Sequence, residues 1–155
     1  AYAAIANGGV MIKPTLLKRE GATTGVRVMS EESALEAVKM LRRVVTEGTA
    51  SLGEVPGYEV AGKTGTADKP KKSGGYYDDK VVNTFASMFP ASNPQYVLIV
   101  TLDEPVDTTL SETRRTAGWT AVPVAAEIIR RVAPLMGLRP KLEPPAPDAL
   151  TAASN

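Results

Sequence analysis

The chain has 155 residues, a formal net charge of +1, and neither histidine nor cysteine. Near-zero net charge argues against nucleic-acid binding, which needs a basic face, and no apolar run approaches the roughly 18–20 residues of a membrane span. Without histidine and cysteine, the chain cannot form a Ser-His-Asp triad, a thiol nucleophile, or a zinc site made of those residues. Its chemistry therefore rests on Ser, Thr, Lys, Tyr, carboxylates or backbone amides.

The first fifty residues predict two helices with an extended segment between them. An Ala-rich opening leads into Asn7-Gly8-Gly9, residue types that end helices, and a helix that starts at the first residue suggests a piece of a longer polypeptide. Residues 10–18 are expected to be extended, and Pro14 places them at an edge or in an irregular strand. Ser30 is the expected N-cap of the second helix, and Gly48 its end. The predicted buried stripe of that helix is Leu35, Val38, Leu41 and Val45.

The rest of the chain predicts three strands and a third helix. The strands are expected at residues 58–66, 81–89 and 96–102, with a polar loop at 68–80 and a turn at 90–95. The third strand is a continuous apolar run, typical of a central strand. A helix is expected over 120–137, with an apolar face of Val124, Ile128 and Val132 flanked by Ala125 and Ile129. Short links favour an antiparallel meander, so the predicted fold class is α+β, an antiparallel sheet covered by helices, followed by a Pro-rich flexible tail at 138–155.

The densest motif, GYEVAGKTGTA at 57–67, has two interpretations. Gly57 to Thr64 satisfies the phosphate-loop pattern G-x-x-x-x-G-K-[ST], which would make the protein a nucleotide binder. That motif needs an apolar strand before it and a helix after it. The residues before Gly57 do not form a strand pattern, and Gly65 and Pro70 oppose a helix.

The second interpretation places Lys63-Thr64-Gly65-Thr66 at the open edge of a strand. A strand edge offers unpaired N–H groups, and a glycine lets a substrate backbone approach closely. Threonine hydroxyls donate hydrogen bonds, and a lysine supplies positive charge and can relay protons. This set of groups suits acyl transfer, although an ordinary surface strand with a solvated lysine is the plain alternative.

With its flanking motifs, this tetrad resembles the penicillin-binding serine transpeptidases, in which K-T-G is the third motif after S-x-x-K and S-D-N. The resemblance covers residues 1–137 and is closest to class B, cell-division branch; the elongation branch remains a rival. The flanking segments are AYAAIANGG (1–9), VVTEGTA (44–50), NTFASMFPA (83–91), QYVLIVTLDEP (95–105) and AGWTAVP (117–123).

The resemblance implies a role for each residue of the tetrad. Lys63 would bridge towards the serine of the middle motif and, with Thr66, belong to the catalytic set. Thr64, Gly65 and Thr66 would bind substrate, the two threonines holding the terminal carboxylate of a stem peptide or a β-lactam. The backbone N–H of Thr66 would be one oxyanion donor. Trp119 would line the groove or pack in the core, and Tyr76 and Tyr77 would contact substrate or remain ordinary loop residues.

No serine of the chain is followed three residues later by lysine, and no S-x-N precedes Lys63. The resemblance therefore implies that this chain is the C-terminal part of the transpeptidase domain, inactive alone and exposing an apolar face. An upstream half would carry the nucleophile and a membrane anchor, placing the enzyme at the periplasmic face of the inner membrane. Implied partners are peptidoglycan stem peptides, β-lactams and divisome membrane proteins, with no cofactor or metal. A D,D-carboxypeptidase or a penicillin-sensing domain of the same fold stays open.

Overall fold

The structure is a computed structural model that describes residues 1–18, 20–21, 23–109 and 112–141. In chain order the helices and strands are α1 (Tyr2–Ala6), β1 (Val10–Met11), β2 (Val26–Arg27), α2 (Glu31–Thr46), β3 (Ala61–Pro70), β4 (Tyr76–Phe89), β5 (Tyr96–Asp103) and α3 (Ala121–Leu135). A short 3-10 turn, Ser51–Gly53, lies between α2 and β3. The predicted α+β fold with an antiparallel sheet covered by helices is confirmed.

The main sheet has three antiparallel strands in the order β3-β4-β5. Thr64 pairs with Phe85 and Thr66 with Asn83, so the K-T-G-T segment lies on one outer strand of the sheet. The strand predicted to be central, β5, is at the opposite edge of the three described strands, and β4 is central instead. An apolar run indicates burial of both faces and not the number of neighbouring strands, and the edge position of β5 refers only to the strands of this chain. Ile99 is 57% exposed, so the contacts of this chain do not bury that face.

Helix α3 packs on the sheet through small residues. Its buried positions are Ala121, Val122, Ala125, Ala126, Ile129 and Ala133. The predicted flanking residues Ala125 and Ile129 are thus buried, and Ile128 and Val132 are half-buried, but Val124 is 40% exposed. Alanine side chains let the helix axis approach the sheet, where Phe85 and Val60 complete the core.

Helix α2 begins as predicted, because the Ser30 side chain accepts a hydrogen bond from the Ser33 amide at 3.1 Å. Val38 and Val45 are buried, but Leu35 is 55% exposed, so its assignment to the buried face was wrong. The helix ends at Thr46, two residues before Gly48.

Three segments differ from the sequence prediction: residues 10–18, the short strand Val26–Arg27, and residues 68–80. Of residues 10–18, only Val10–Met11 form a strand, which pairs with a short strand that the sequence did not predict. The predicted loop 68–80 is mostly β-hairpin, because β3 continues to Pro70 and β4 starts at Tyr76. Both faces of that hairpin meet solvent, so its sequence lacks the apolar alternation that marks a strand.

The predicted tail begins with residues that pack on the domain. Leu138 contacts the core, and the Lys141 amide donates to the Gly57 carbonyl at 2.9 Å. Residues 142–155 lie outside the described part of the chain. In the described part, no helix has the length and apolar character needed to cross a membrane.

A charge cluster fixes the β3–β4 hairpin against the end of β5. The Lys69 ammonium lies 2.7 Å from the Asp103 carboxylate and 2.8 Å from Glu104, and the Lys80 ammonium lies 3.0 Å from Glu104. Glu104 adopts a left-handed backbone conformation, with φ of 50°. The two distances to Glu104 show that its carboxylate bridges lysines from both strands of the hairpin, Lys69 of β3 and Lys80 of β4.

The first prediction concerns Gly62 and Gly65, which occupy the same strand but different surroundings. A Cβ at Gly62 would lie 2.6 Å from the Ala86 carbonyl oxygen and 2.7 Å from the Phe85 ring, whereas at Gly65 the nearest atom is 3.9 Å away. We expect Gly62→Ala to lower the free energy of unfolding by about 1–3 kcal/mol and Gly65→Ala to change it by less than about 0.5 kcal/mol. Chemical denaturation of the complete protein measures both, and equal losses would contradict the packing described here.

The second prediction concerns the Glu104 cluster. Hydrogen bonds from Lys69 and then Lys80 lower the pKa of Glu104, so its stabilisation is complete at neutral pH and disappears as the pH falls through that lowered pKa. Hydrogen bonds to Asp103 and then Glu104 raise the pKa of Lys69, and the hydrogen bond to Glu104 raises the pKa of Lys80, so the cluster is also lost as the pH rises through those raised pKa values. We expect Glu104→Gln to lower amide protection in the hairpin at neutral pH and to reduce its loss in acid, with the Lys69–Asp103 pair retained.

Hydrogen-exchange protection factors of residues 69–80 measure this effect. Asp78→Asn is the matched control, because Asp78 is an exposed acid of the same hairpin outside the cluster. An unchanged acid dependence in Glu104→Gln, or an equal change in Asp78→Asn, would show that the cluster does not hold the hairpin.

Candidate functional site

A cavity of about 480 Å³ lies beside β3, and three segments line it. The residues after α2 form one side, Thr64 and Thr66 of β3 form the second, and the loop before α3 forms the third. The lining residues are Gly48, Thr49, Ser51, Leu52, Thr64, Thr66, Thr116, Ala117, Gly118 and Trp119. The two threonines predicted to bind substrate therefore face one common cavity.

Two loops meet closely at this cavity because one of them contains glycine. A Cβ at Gly118 would lie 2.6 Å from the Thr49 carbonyl oxygen, a distance that side-chain atoms do not tolerate. Gly118 thus lets the loop before α3 pack against the loop after α2. This contact fixes the position of Thr49 opposite β3.

The hydroxyl of Thr66 accepts a hydrogen bond from the backbone N–H of Ala117 at 3.0 Å. A hydroxyl has one proton to donate and two acceptor lone pairs. Because the Ala117 amide can only donate, the Thr66 proton remains available to a ligand.

The hydroxyl of Thr64 lies 2.8 Å from the Thr49 hydroxyl, and either can be the donor. The Lys63 ammonium also donates to the Thr64 hydroxyl, at a long 3.4 Å, and to the Thr64 carbonyl at 2.9 Å. The Thr64 hydroxyl is therefore approached by the Lys63 ammonium, as the Thr66 hydroxyl is by the Ala117 amide.

The Lys63 contact also shows which backbone groups meet the open edge of β3. In an antiparallel strand, the N–H and C=O of one residue point to the same side, and this side alternates along the chain. Since the Thr64 carbonyl contacts the Lys63 ammonium and not β4, the N–H of Thr66, two residues on, points to the same open edge. An edge amide beside two hydroxyls is suited to stabilising an oxyanion.

Gly65 is exposed on the strand between the two threonines. Neither its conformation nor packing within the described chain requires glycine, in contrast to Gly62. The missing side chain leaves free space along this part of β3.

The aromatic residues named from the sequence divide into two groups. Trp119 lines the cavity, 44% exposed, with the Arg114 guanidinium 3.7 Å from its ring centroid. Arg114 in turn forms a β-bridge with Asp107. The ammonium groups of Lys71 and Lys80 lie 5.4 Å and 5.1 Å from the centroid of the Tyr77 ring on the hairpin, and neither Tyr76 nor Tyr77 lines the cavity.

Asn83 supports the site, although no sequence argument assigned it a role. It is fully buried in β4, and its side-chain amide donates to the Arg115 carbonyl and to the Thr120 hydroxyl, both at 2.6 Å. The Arg115 guanidinium also donates to the Asp79 carbonyl. These bonds fix the loop that delivers the Ala117 amide to Thr66.

Thr49 and Ala117 are likewise functional candidates that the sequence did not single out. Both lie in segments quoted for the resemblance, VVTEGTA and AGWTAVP, but a single sequence does not show that they meet Thr64 and Thr66. The phosphate-loop interpretation lacks its required geometry, because Lys63 and Thr64 lie inside β3 and not at a helix N-terminus. Among the described residues, no group of acidic side chains is arranged to hold a metal ion.

Comparison with known proteins agrees with this geometry. The profile of the penicillin binding protein transpeptidase domain matches residues 1–130. The chain is 36% identical over 153 residues to the probable peptidoglycan D,D-transpeptidase FtsI of Caulobacter vibrioides, covering 92% of this chain and 26% of that protein. It is 39% identical over 122 residues to the penicillin-binding protein PbpB of Mycobacterium tuberculosis, covering 67% of this chain and 18% of that protein.

Solved structures give the same result. The transpeptidase domain of Burkholderia pseudomallei penicillin-binding protein 3 has a TM-score of 0.80 and 34% identity, covering 92% of this chain and 42% of that one. Mycobacterium tuberculosis penicillin-binding protein 3, complexed with ampicillin, has a TM-score of 0.75 and 32% identity, covering 94% of this chain and 35% of that one.

The chain spans between 19% and 27% of the length of three curated relatives that it matches. The matched profile, the fold and the K-T-G-T strand beside its cavity agree with the resemblance found in the sequence. The chain belongs to the penicillin-binding protein transpeptidase domain family.

Proposed function

We propose that residues 1–137 form the C-terminal part of a peptidoglycan D,D-transpeptidase domain and supply the wall of its active site that binds the substrate carboxylate. One observation carries the proposal. The hydroxyls of Thr64 and Thr66 face one cavity, and each is approached by protein hydrogen-bond donors: Lys63 for Thr64 and the Ala117 amide for Thr66.

Such hydroxyls select an acceptor as their ligand. An ionised carboxylate accepts hydrogen bonds through both oxygens, and hydrogen bonds to a charged group are roughly twice as strong as those between neutral groups. Two hydroxyls that face one cavity, with the Lys63 ammonium nearby, form a complementary site for it. The C-terminal carboxylate of a D-Ala-D-Ala stem peptide and the carboxylate of a penicillin meet this requirement.

The remaining residues of the tetrad have complementary roles in the proposal. Lys63 balances the developing negative charge and relays a proton to the serine of the middle motif. No carboxylate pairs with its ammonium among the described residues, so its charge is available to the site. Gly65 leaves room for the substrate backbone, and the Thr66 N–H is one of two oxyanion donors.

The reaction needs a nucleophile that this chain does not contain, since it has no S-x-x-K motif. In the complete protein, a serine of that motif would attack the carbonyl of the penultimate D-Ala and release the terminal D-Ala, forming an acyl-serine ester. The amine of a second stem peptide would then attack the ester, and the serine would recover its proton. The protein groups supply positioning and electrostatic stabilisation.

The open edge and the exposed apolar face of β5 support the proposal that further strands of the domain come from residues outside this chain. The FtsI names of relatives favour the cell-division branch, hence septal cross-linking at the periplasmic face of the inner membrane beside divisome proteins. An elongation-type transpeptidase, a D,D-carboxypeptidase and a penicillin-sensing domain are alternatives. Turnover of a stem-peptide donor onto an amine acceptor separates a transpeptidase from a carboxypeptidase or a sensor.

The third prediction tests the role of the tetrad in the complete protein. We expect a penicillin to form one adduct on a serine outside this chain. Lys63→Ala and Thr66→Val should each lower the acylation rate by roughly ten- to a hundredfold, because each removes a bond to a charged group. Intact-mass kinetics and peptide mapping measure both the rate and the position of the adduct.

Lys72→Ala is the matched control, because Lys72 is an exposed lysine of the hairpin and does not line the cavity. Unchanged acylation in Lys63→Ala and Thr66→Val would remove the proposed roles while leaving the family assignment intact. An adduct on a serine of this chain would refute the proposal that the nucleophile lies elsewhere.

A further inference from the structure

We propose that Thr49 is a positioning residue, which donates its hydroxyl proton to Thr64 and thereby directs the Thr64 proton to the substrate carboxylate. The inference rests on the proposed function and deepens it. Its basis is the 2.8 Å contact between the two hydroxyl oxygens, at a cavity that both residues line.

The direction of this hydrogen bond follows from counting protons. Thr64 has one proton and two acceptor positions, and the Lys63 ammonium, which can only donate, approaches one of those positions at 3.4 Å. When an anion occupies the cavity, it competes with the Thr49 hydroxyl for the Thr64 proton and is the stronger acceptor. Thr49 then becomes the donor, and both acceptor positions of Thr64 are filled.

The position of Thr49 is fixed independently of this hydrogen bond. Gly118 lies against the Thr49 backbone, and a Cβ there would be 2.6 Å from the Thr49 carbonyl oxygen. The same loop delivers the Ala117 amide to Thr66. One contact between two loops therefore orients both hydroxyls of the site, Thr66 through Ala117 and Thr64 through Thr49.

The fourth prediction compares acylation of the complete protein by a penicillin and by its methyl ester, which lacks the anionic group. We expect Thr49→Val to slow acylation by the penicillin by roughly three- to tenfold, the range for one neutral hydrogen bond, and to leave the ester rate nearly unchanged. Thr49→Ser, which keeps the hydroxyl, should restore the rate. Gly118→Ala should also slow acylation by the penicillin more than acylation by the ester, because its Cβ displaces Thr49.

A double-mutant cycle separates orientation of Thr64 from direct contact with substrate. If Thr49 acts through Thr64, Thr49→Val has little further effect in a Thr64→Val background. Thr101→Val is the matched control, since its hydroxyl pairs with that of Thr84 at 3.1 Å on the same sheet, outside the cavity. We expect this control to leave both acylation rates unchanged.

Three outcomes would overturn the inference. Equal slowing of penicillin and ester acylation in Thr49→Val would indicate a general structural effect, and additivity with Thr64→Val would indicate that Thr49 contacts substrate itself. The third is a normal rate of acylation by the penicillin in Thr49→Val when Thr64→Val is acylated slowly. A normal rate in Thr64→Val itself would instead overturn the proposed function, and this inference with it.

Discussion

The hydrogen bond from the Ala117 amide to the Thr66 hydroxyl joins residues 51 positions apart in sequence, and the site depends on it. It connects the loop before α3 to the open edge of β3 and so creates the third side of the cavity. The same bond determines the chemistry of Thr66, because a hydroxyl that accepts from the protein has its proton left for a ligand. One hydrogen bond therefore determines both the packing of this loop on β3 and the preference of Thr66 for a ligand that accepts a hydrogen bond.

The rest of the fold supports this arrangement. The fully buried side chain of Asn83 holds the Arg115–Thr120 loop, and the small residues of α3 allow the helix to pack close to the sheet. On the other side, Gly118 permits the contact with the loop after α2. The net charge of +1 conceals how unevenly charge is distributed. Lys69 and Lys80 are paired with acids on the hairpin, whereas Lys63 directs its ammonium at Thr64.

Much of the fold and part of the site could be predicted from the sequence, for physical reasons. Local signals worked, such as the Ser30 cap of α2 and the K-T-G-T segment on a strand. Expectations that depend on neighbouring strands were harder to derive. The apolar run of β5 is typical of a central strand, yet β5 lies at an edge of the three described strands, and the hairpin looked like a loop because both its faces are polar. Thr49, Asn83 and Ala117 were not predicted, since their roles come from contacts between distant segments. In a single sequence, each is an ordinary threonine, asparagine or alanine.

The central claim is that Thr64 and Thr66 donate hydrogen bonds to the carboxylate of the ligand. A crystal structure of the complete protein acylated by a penicillin tests it most directly. We expect a carboxylate oxygen within about 2.5–3.0 Å of each threonine hydroxyl oxygen, the usual range for such bonds, with the Ala117 bond to Thr66 retained. A carboxylate held by other residues, with both hydroxyls turned away from it, would show that the two threonines do not bind it.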